Sequence, residues 1–251
     1  MLLAIVVLFF TVVLSGFLVK AFPPDNTRWL KLSLAFSGAY LFTITIIHLL
    51  PDVLLSNSDP YKVGYWILAG FFMQIVLEQF SHGVEHGHMH ADSHDHSDKV
   101  PFLLLGSLFI HSFLEGSILG DNRHLHAHSE DANVHGNYYG VLLGVALHHI
   151  PAAFALMSVL MSRLNNFKKA FSWLLVFAIG APLGIIISNT LLANETAGGT
   201  VYTALTGLVA GNFLHISTTI LFETSPDHHF NRNKLTATLL GLVLALLSGI
   251  I

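Results

Sequence analysis

Residues Pro101–Gly120 read PFLLLGSLFIHSFLEGSILG. This apolar run is close to the ~20 helical residues that cross a ~30 Å hydrocarbon core. It carries one histidine and one glutamate near its centre. His111 and Glu115 are four residues apart, so a helix presents both on one face. Ionisable groups inside a span are costly and mark function. A second apolar run, residues 138–161, carries His148, His149 and Pro151 at similar depth. Together the two runs define an all-α integral membrane protein whose other segments serve as scaffold, entrance and exit.

Composition supports that class. The 251 residues are 53% hydrophobic and only 10% charged, against about 25% charged in soluble domains. Cysteine is absent, which excludes disulfides and thiolate metal sites. A formal charge of -4 gives no reason to expect nucleic acid, and the 17 histidines outnumber the 11 lysines and arginines. The first 19 residues lack a basic leader, exceed a usual signal core and show no small-residue cleavage site before Phe22–Asp25. They are read as a span.

Eight apolar segments follow in one transmembrane domain over residues 1–251: roughly 2–19, 30–50, 62–81, 101–120, 138–161, 171–193, 200–222 and 235–251. Alternate loops then divide the basic residues unequally. One set holds Lys20, Arg28, Lys31, Lys99, Arg163, Lys168, Lys169, Arg232 and Lys234; the other holds Lys62 and Arg123. The positive-inside rule puts the larger set in the cytoplasm, so both termini are expected outside, in a plasma or inner cell membrane.

Further polar residues punctuate the spans. His48 and Asp52 close the second segment around Pro51, as a cap or as a cation-gathering outer mouth. Gln74, Glu78 and His82 form an i, i+4, i+8 stripe on the third, read as a path lining. Residues 82–99 form a cytoplasmic His-rich loop with His86, His88, His90, His94 and His96 among acidic residues. Its composition suits zinc, nickel or copper. A smaller His-containing tract, residues 121–137, falls on the opposite side; metal handling on both faces fits transport better than one-sided sensing. The seventh segment carries Asn212 and His215, with Glu223 at its inner end. Gly140 and Gly144 favour close packing of the fifth segment, and Pro151 frees backbone carbonyls near its histidines.

No lysine or arginine lies mid-span, so Glu115 must be balanced by a metal ion, a proton or a dipolar network. His111, Glu115 and His148 form the expected ligand set for zinc or another late divalent ion, with positions left open. His149 either completes this site or lines the path beyond it. The same set would suit a membrane metallohydrolase, but there is no HExxH and no second central carboxylate to act as base. A metal exporter or sensor is a further alternative.

The order of motifs resembles the ZIP family of divalent metal transporters. The matching stretches are His48-Leu-Leu-Pro51-Asp52, His111-Ser112-Phe-Leu-Glu115-Gly116, His148-His149-Ile-Pro151, Pro182-Leu183-Gly184 and Ala210-Gly211-Asn212-Phe213-Leu214. The resemblance implies eight spans, a primary site at His111, Glu115 and His148, and metal movement toward the cytoplasm by displacement of the site-bearing helices. The cargo it implies is commonly zinc, sometimes iron, manganese or cadmium. Divalent ions and the lipid bilayer are the expected partners, with a homodimer open. Two departures bear on the site. Ala152 stands where the family often has glutamate, and Ser112 where it often has asparagine. Both positions help form a second metal site in some members, so their replacement predicts a single central ion.

Overall fold

A computed structural model describes residues 1–22, 27–81, 83–84, 101–120, 134–193, 199–223 and 232–248. The described residues are helical apart from short connections. They form α1 (Leu2–Ala21), α2 (Thr27–Ile44), α3 (Leu50–Leu55), α4 (Pro60–Ser81), α5 (Phe102–Ser117), α6 (Val134–Leu164), α7 (Phe167–Leu192), α8 (Thr200–Glu223) and α9 (Arg232–Ser248). A π-helical turn, Thr45–Leu49, joins α2 to α3 without a break, giving eight rods among the described residues. The His-rich tract with His82, His86, His88, His90, His94 and His96 lies outside the described residues. So do residues 121–133 and the side chain of Glu223.

Six rods are long and apolar enough to cross a membrane by length and composition. Of the eight expected spans, α5 is shorter at 16 residues and α9 at 17. Two boundaries also differ from the sequence reading. The second rod does not stop at His48–Asp52; the π turn carries it past Pro51 to Leu55. Pro51 follows the π turn directly, where the regular i to i−4 ladder is already interrupted. The fifth rod extends over 31 residues and contains Pro151, which cannot donate to the Leu147 carbonyl.

The rods sort into two groups. α5 lies along α7, and α1 packs on both α6 and α7; in the second group α4 pairs with α8 and α2 with α9. The groups meet where α2 touches α6 and α4 touches α5. Close approach of α5 and α7 requires glycine: a Cβ at Gly116 would strike the Ala181 backbone, and one at Gly184 the Phe113 backbone. The α2–α6–α9 junction is pinned by Tyr40, whose hydroxyl donates to the Gly140 carbonyl at 3.1 Å and lies 2.8 Å from Ser248 Oγ. At the other end of α9, Lys234 Nζ donates to the Leu221 carbonyl of α8 at 3.1 Å.

The apolar interior divides into two clusters along the rods. One contains Ile118 and Leu119 just after α5, Val145 and Ala146 of α6, and Ala181 of α7. The other contains Leu105 and Leu108 of α5, Ala153 and Phe154 of α6, and Phe177 of α7. Residues 111–115 of α5 and 148–149 of α6 fall in the interval between them. The central polar groups therefore occupy a thin layer with packed hydrocarbon on both sides.

Candidate metal centre

Glu115 is the hub of that layer. It is 0% exposed, and the three imidazoles around it are equally shut away from solvent. Its Oε1 lies 3.4 Å from His111 Nε2 and 3.9 Å from His148 Nε2. One ligand atom from each of His111, Glu115 and His148 falls within a group no wider than 4.8 Å. The helical repeat supplies this arrangement. His111 and Glu115 stand one turn apart on α5, and His148 comes from the facing turn of α6. The His111 and His148 rings meet edge to face, with centroids 5.9 Å apart.

His149 occupies the other side of the carboxylate. Its Nε2 is 2.8 Å from Glu115 Oε2, the shortest contact in the cluster. Adjacent residues on a helix project about 100° apart, yet His148 and His149 both reach Glu115 because its two oxygens face them separately. The carboxylate can only accept, so His149 donates through Nε2–H. The His149 ring is backed by Phe177 of α7, with centroids 5.7 Å apart.

Gln74 of α4 reaches the layer from the second group of rods. Its Oε1 lies 3.4 Å from His111 Nδ1. An amide oxygen accepts, so this contact places the proton on Nδ1 and leaves the Nε2 lone pair facing Glu115. Gln74 had the sequence signature of a path-lining residue; its contact with His111 depends on how α4 packs against α5, and no local spacing signals that. Ser112 is fully buried, and its hydroxyl has no hydrogen-bond partner among the described residues. Nor do His111 Nε2 or Glu115 Oε1. An anionic oxygen and an imidazole lone pair held together in a dry site are donor atoms suited to a cation.

The remaining polar residues separate from this centre. Glu78 of α4 pairs with His215 of α8, Oε2 to Nε2 at 2.7 Å, and the His215 ring lies edge-on to Phe71 with centroids 5.0 Å apart. The stripe on α4 is thus split between two partners: Gln74 turns to His111 and Glu78 to His215. Asn212 is fully buried one turn before His215, and neither amide atom has a hydrogen-bond partner among the described residues. His48 and Asp52 are half-buried on the π turn and α3 and are not part of the group that converges on Glu115.

Comparison with known proteins bears on the chemistry of this centre. A family model described as ZIP Zinc transporter matches residues 100–251, which include α5 to α9 and the whole Glu115 cluster. Zinc transporter ZIP1 of Danio rerio is 25% identical over 226 residues, covering 72% of this chain and 72% of that protein. Zinc transporter ZupT of Chlorobium phaeovibrioides is 25% identical over 242 residues, covering 88% of this chain and 87% of that one. Protein zntD of Dictyostelium discoideum is 26% identical over 159 residues, 59% of this chain. That match spans only 22% of its own length.

Proposed function

The chain belongs to the ZIP zinc transporter family, and we propose that it carries zinc toward the cytoplasm through His111, Glu115 and His148. A family of transporters removes the metallohydrolase alternative. The observation that carries the zinc reading is the spacing around Glu115 Oε1. Two ligands bound at 2.0–2.1 Å to a tetrahedral zinc ion lie about 3.3–3.4 Å apart. His111 Nε2 and Glu115 Oε1 already stand at 3.4 Å, and His148 Nε2 at 3.9 Å needs to close by only about 0.5 Å. Two neutral imidazoles and one carboxylate leave a net single positive charge on a bound divalent ion and room for water, which suits binding followed by release.

The flanking hydrocarbon clusters complete the mechanism. With the site closed on both sides, an ion enters only when one cluster parts and leaves only when the other does. The lysine and arginine asymmetry supports the orientation of the chain, with the loops joining α1 to α2 and α6 to α7 inside and Met1 and Ile251 outside. This orientation belongs to a plasma or inner cell membrane. Purified protein in proteoliposomes is the test, with zinc uptake measured against iron, manganese and cadmium as competitors. Saturable zinc entry is the expected result. Absence of zinc flux from correctly inserted protein refutes the proposal, and preferential flux of a competitor changes the cargo.

A further inference from the structure

We infer that His149 is a positioning residue that sets the ion preference of the centre by withholding one oxygen of Glu115. The inference rests on the reading of His111, Glu115 and His148 as the cargo site and adds a role for the fourth residue of the cluster. His149 contacts Oε2 at 2.8 Å, while the ligand-bearing side faces Oε1 at 3.4 and 3.9 Å. The nitrogen that touches the carboxylate carries the proton, so it has no lone pair for a metal. His149 correspondingly stands outside the three-residue group that converges on one point.

The consequence is a constraint on how Glu115 binds. A carboxylate chelates through both oxygens only when both are available at similar distance. Here Oε2 is already engaged by a buried donor, and the Phe177 ring behind His149 restrains the imidazole. Glu115 therefore offers Oε1 alone. The protein supplies two nitrogens and one oxygen, each a single-atom ligand. Zinc accepts such a small, nitrogen-rich set in tetrahedral geometry. Manganese favours a larger, oxygen-rich, octahedral shell and would benefit from a second carboxylate oxygen. A hydrogen bond behind the ligand thus acts on selectivity as well as affinity.

Proteoliposome uptake at subsaturating zinc or manganese tests this, alongside binding of each metal to the purified full chain. His149→Phe keeps a ring against Phe177 and removes the donor. It is expected to weaken zinc binding about tenfold and to shrink the zinc-to-manganese uptake ratio by at least a similar factor. His149→Gln can present an amide N–H to Oε2 and is expected to return the ratio to within roughly threefold of wild type. Equal loss of both metals in His149→Phe, or a glutamine variant indistinguishable from it, overturns the inference. His149→Leu provides the same donor-free comparison if the phenylalanine variant does not accumulate in membranes. Failure of the underlying site reading gives a different pattern: wild-type protein then binds zinc no better than Glu115→Gln.

Discussion

Glutamine at position 115 separates the two demands placed on that residue, stability without an ion and binding of one. Glu115→Gln keeps side-chain volume and removes the one carboxylate at the centre. In the metal-free protein, the glutamine carbonyl can accept from His149 while its NH2 group faces the imidazole nitrogens of His111 and His148. The wild-type Oε1 has no hydrogen-bond partner among the described residues, and an unsatisfied buried group costs about 1–3 kcal/mol. The metal-free variant is therefore expected to melt at or above the wild-type temperature. Binding should move the other way. Glu115 is 0% exposed, so solvent screening does not soften the loss of its charge. Removing one partner of a buried ionic contact costs about 3–5 kcal/mol, or roughly two to three and a half decades in zinc affinity. Chelator competition measures affinity, a thermal scan in detergent measures stability, and vesicle uptake measures function. Wild-type uptake at subsaturating zinc, or a metal-free variant less stable than wild type, refutes the reasoning.

Gln74→Leu removes the acceptor for His111 Nδ1–H and should weaken zinc binding about tenfold by chelator competition, with little change in membrane yield. Deletion of Glu85–Ser97 removes no span, and loop closure depends weakly on length; flux should persist, with an altered response to metal concentration. The natural absence of cysteine allows a clean topology test: exposed Ser58→Cys should label with an impermeant thiol reagent in intact cells, and exposed Ser162→Cys only after permeabilisation. Ala152 supplies no bridging carboxylate and His149 already engages Oε2, so anomalous diffraction from zinc-soaked crystals should show one central ion; two full-occupancy peaks between α5 and α6 would overturn that count.

The rods were legible in the sequence because the bilayer leaves few ways to satisfy a backbone. An apolar run of spanning length has to close its own hydrogen bonds. The convergence of His111 and Glu115 was legible for a related reason: the two share a local face, and a central carboxylate has no basic residue at its depth. What resisted reading depends on packing between distant segments. Gln74 and His215 are polar residues on apolar helices, but only the contacts of α4 with α5 and α8 send one to His111 and the other to Glu78. The passage of the second rod through Pro51 rests on a π turn, which no residue pattern announced. The place of His149 stayed open between the site and the path because helical projection treats neighbours as diverging. It does not register a forked acceptor on the facing helix that lies between them.

The division of the rods gives the centre a further physical property. His111, Glu115, His148 and His149 are carried by α5 and α6, which pack with α1 and α7. Gln74 belongs to α4, in the other group. A relative displacement of the two groups as bodies would leave the distances within the Glu115 cluster unchanged, because no member of that cluster crosses the boundary. It would alter the hydrocarbon that seals the layer and the Gln74–His111 contact. The Gln74–His111 contact is thus the point at which movement between the groups would reach the Glu115 cluster. The Glu115 cluster can stay intact in low dielectric, where separating its members is most costly. The surfaces that move are largely apolar, and the hydrogen bonds at stake between the groups include Tyr40–Gly140 and Gln74–His111. Keeping the cluster whole during such a displacement matters because an ion stripped of ligands midway through hydrocarbon would meet the full desolvation penalty.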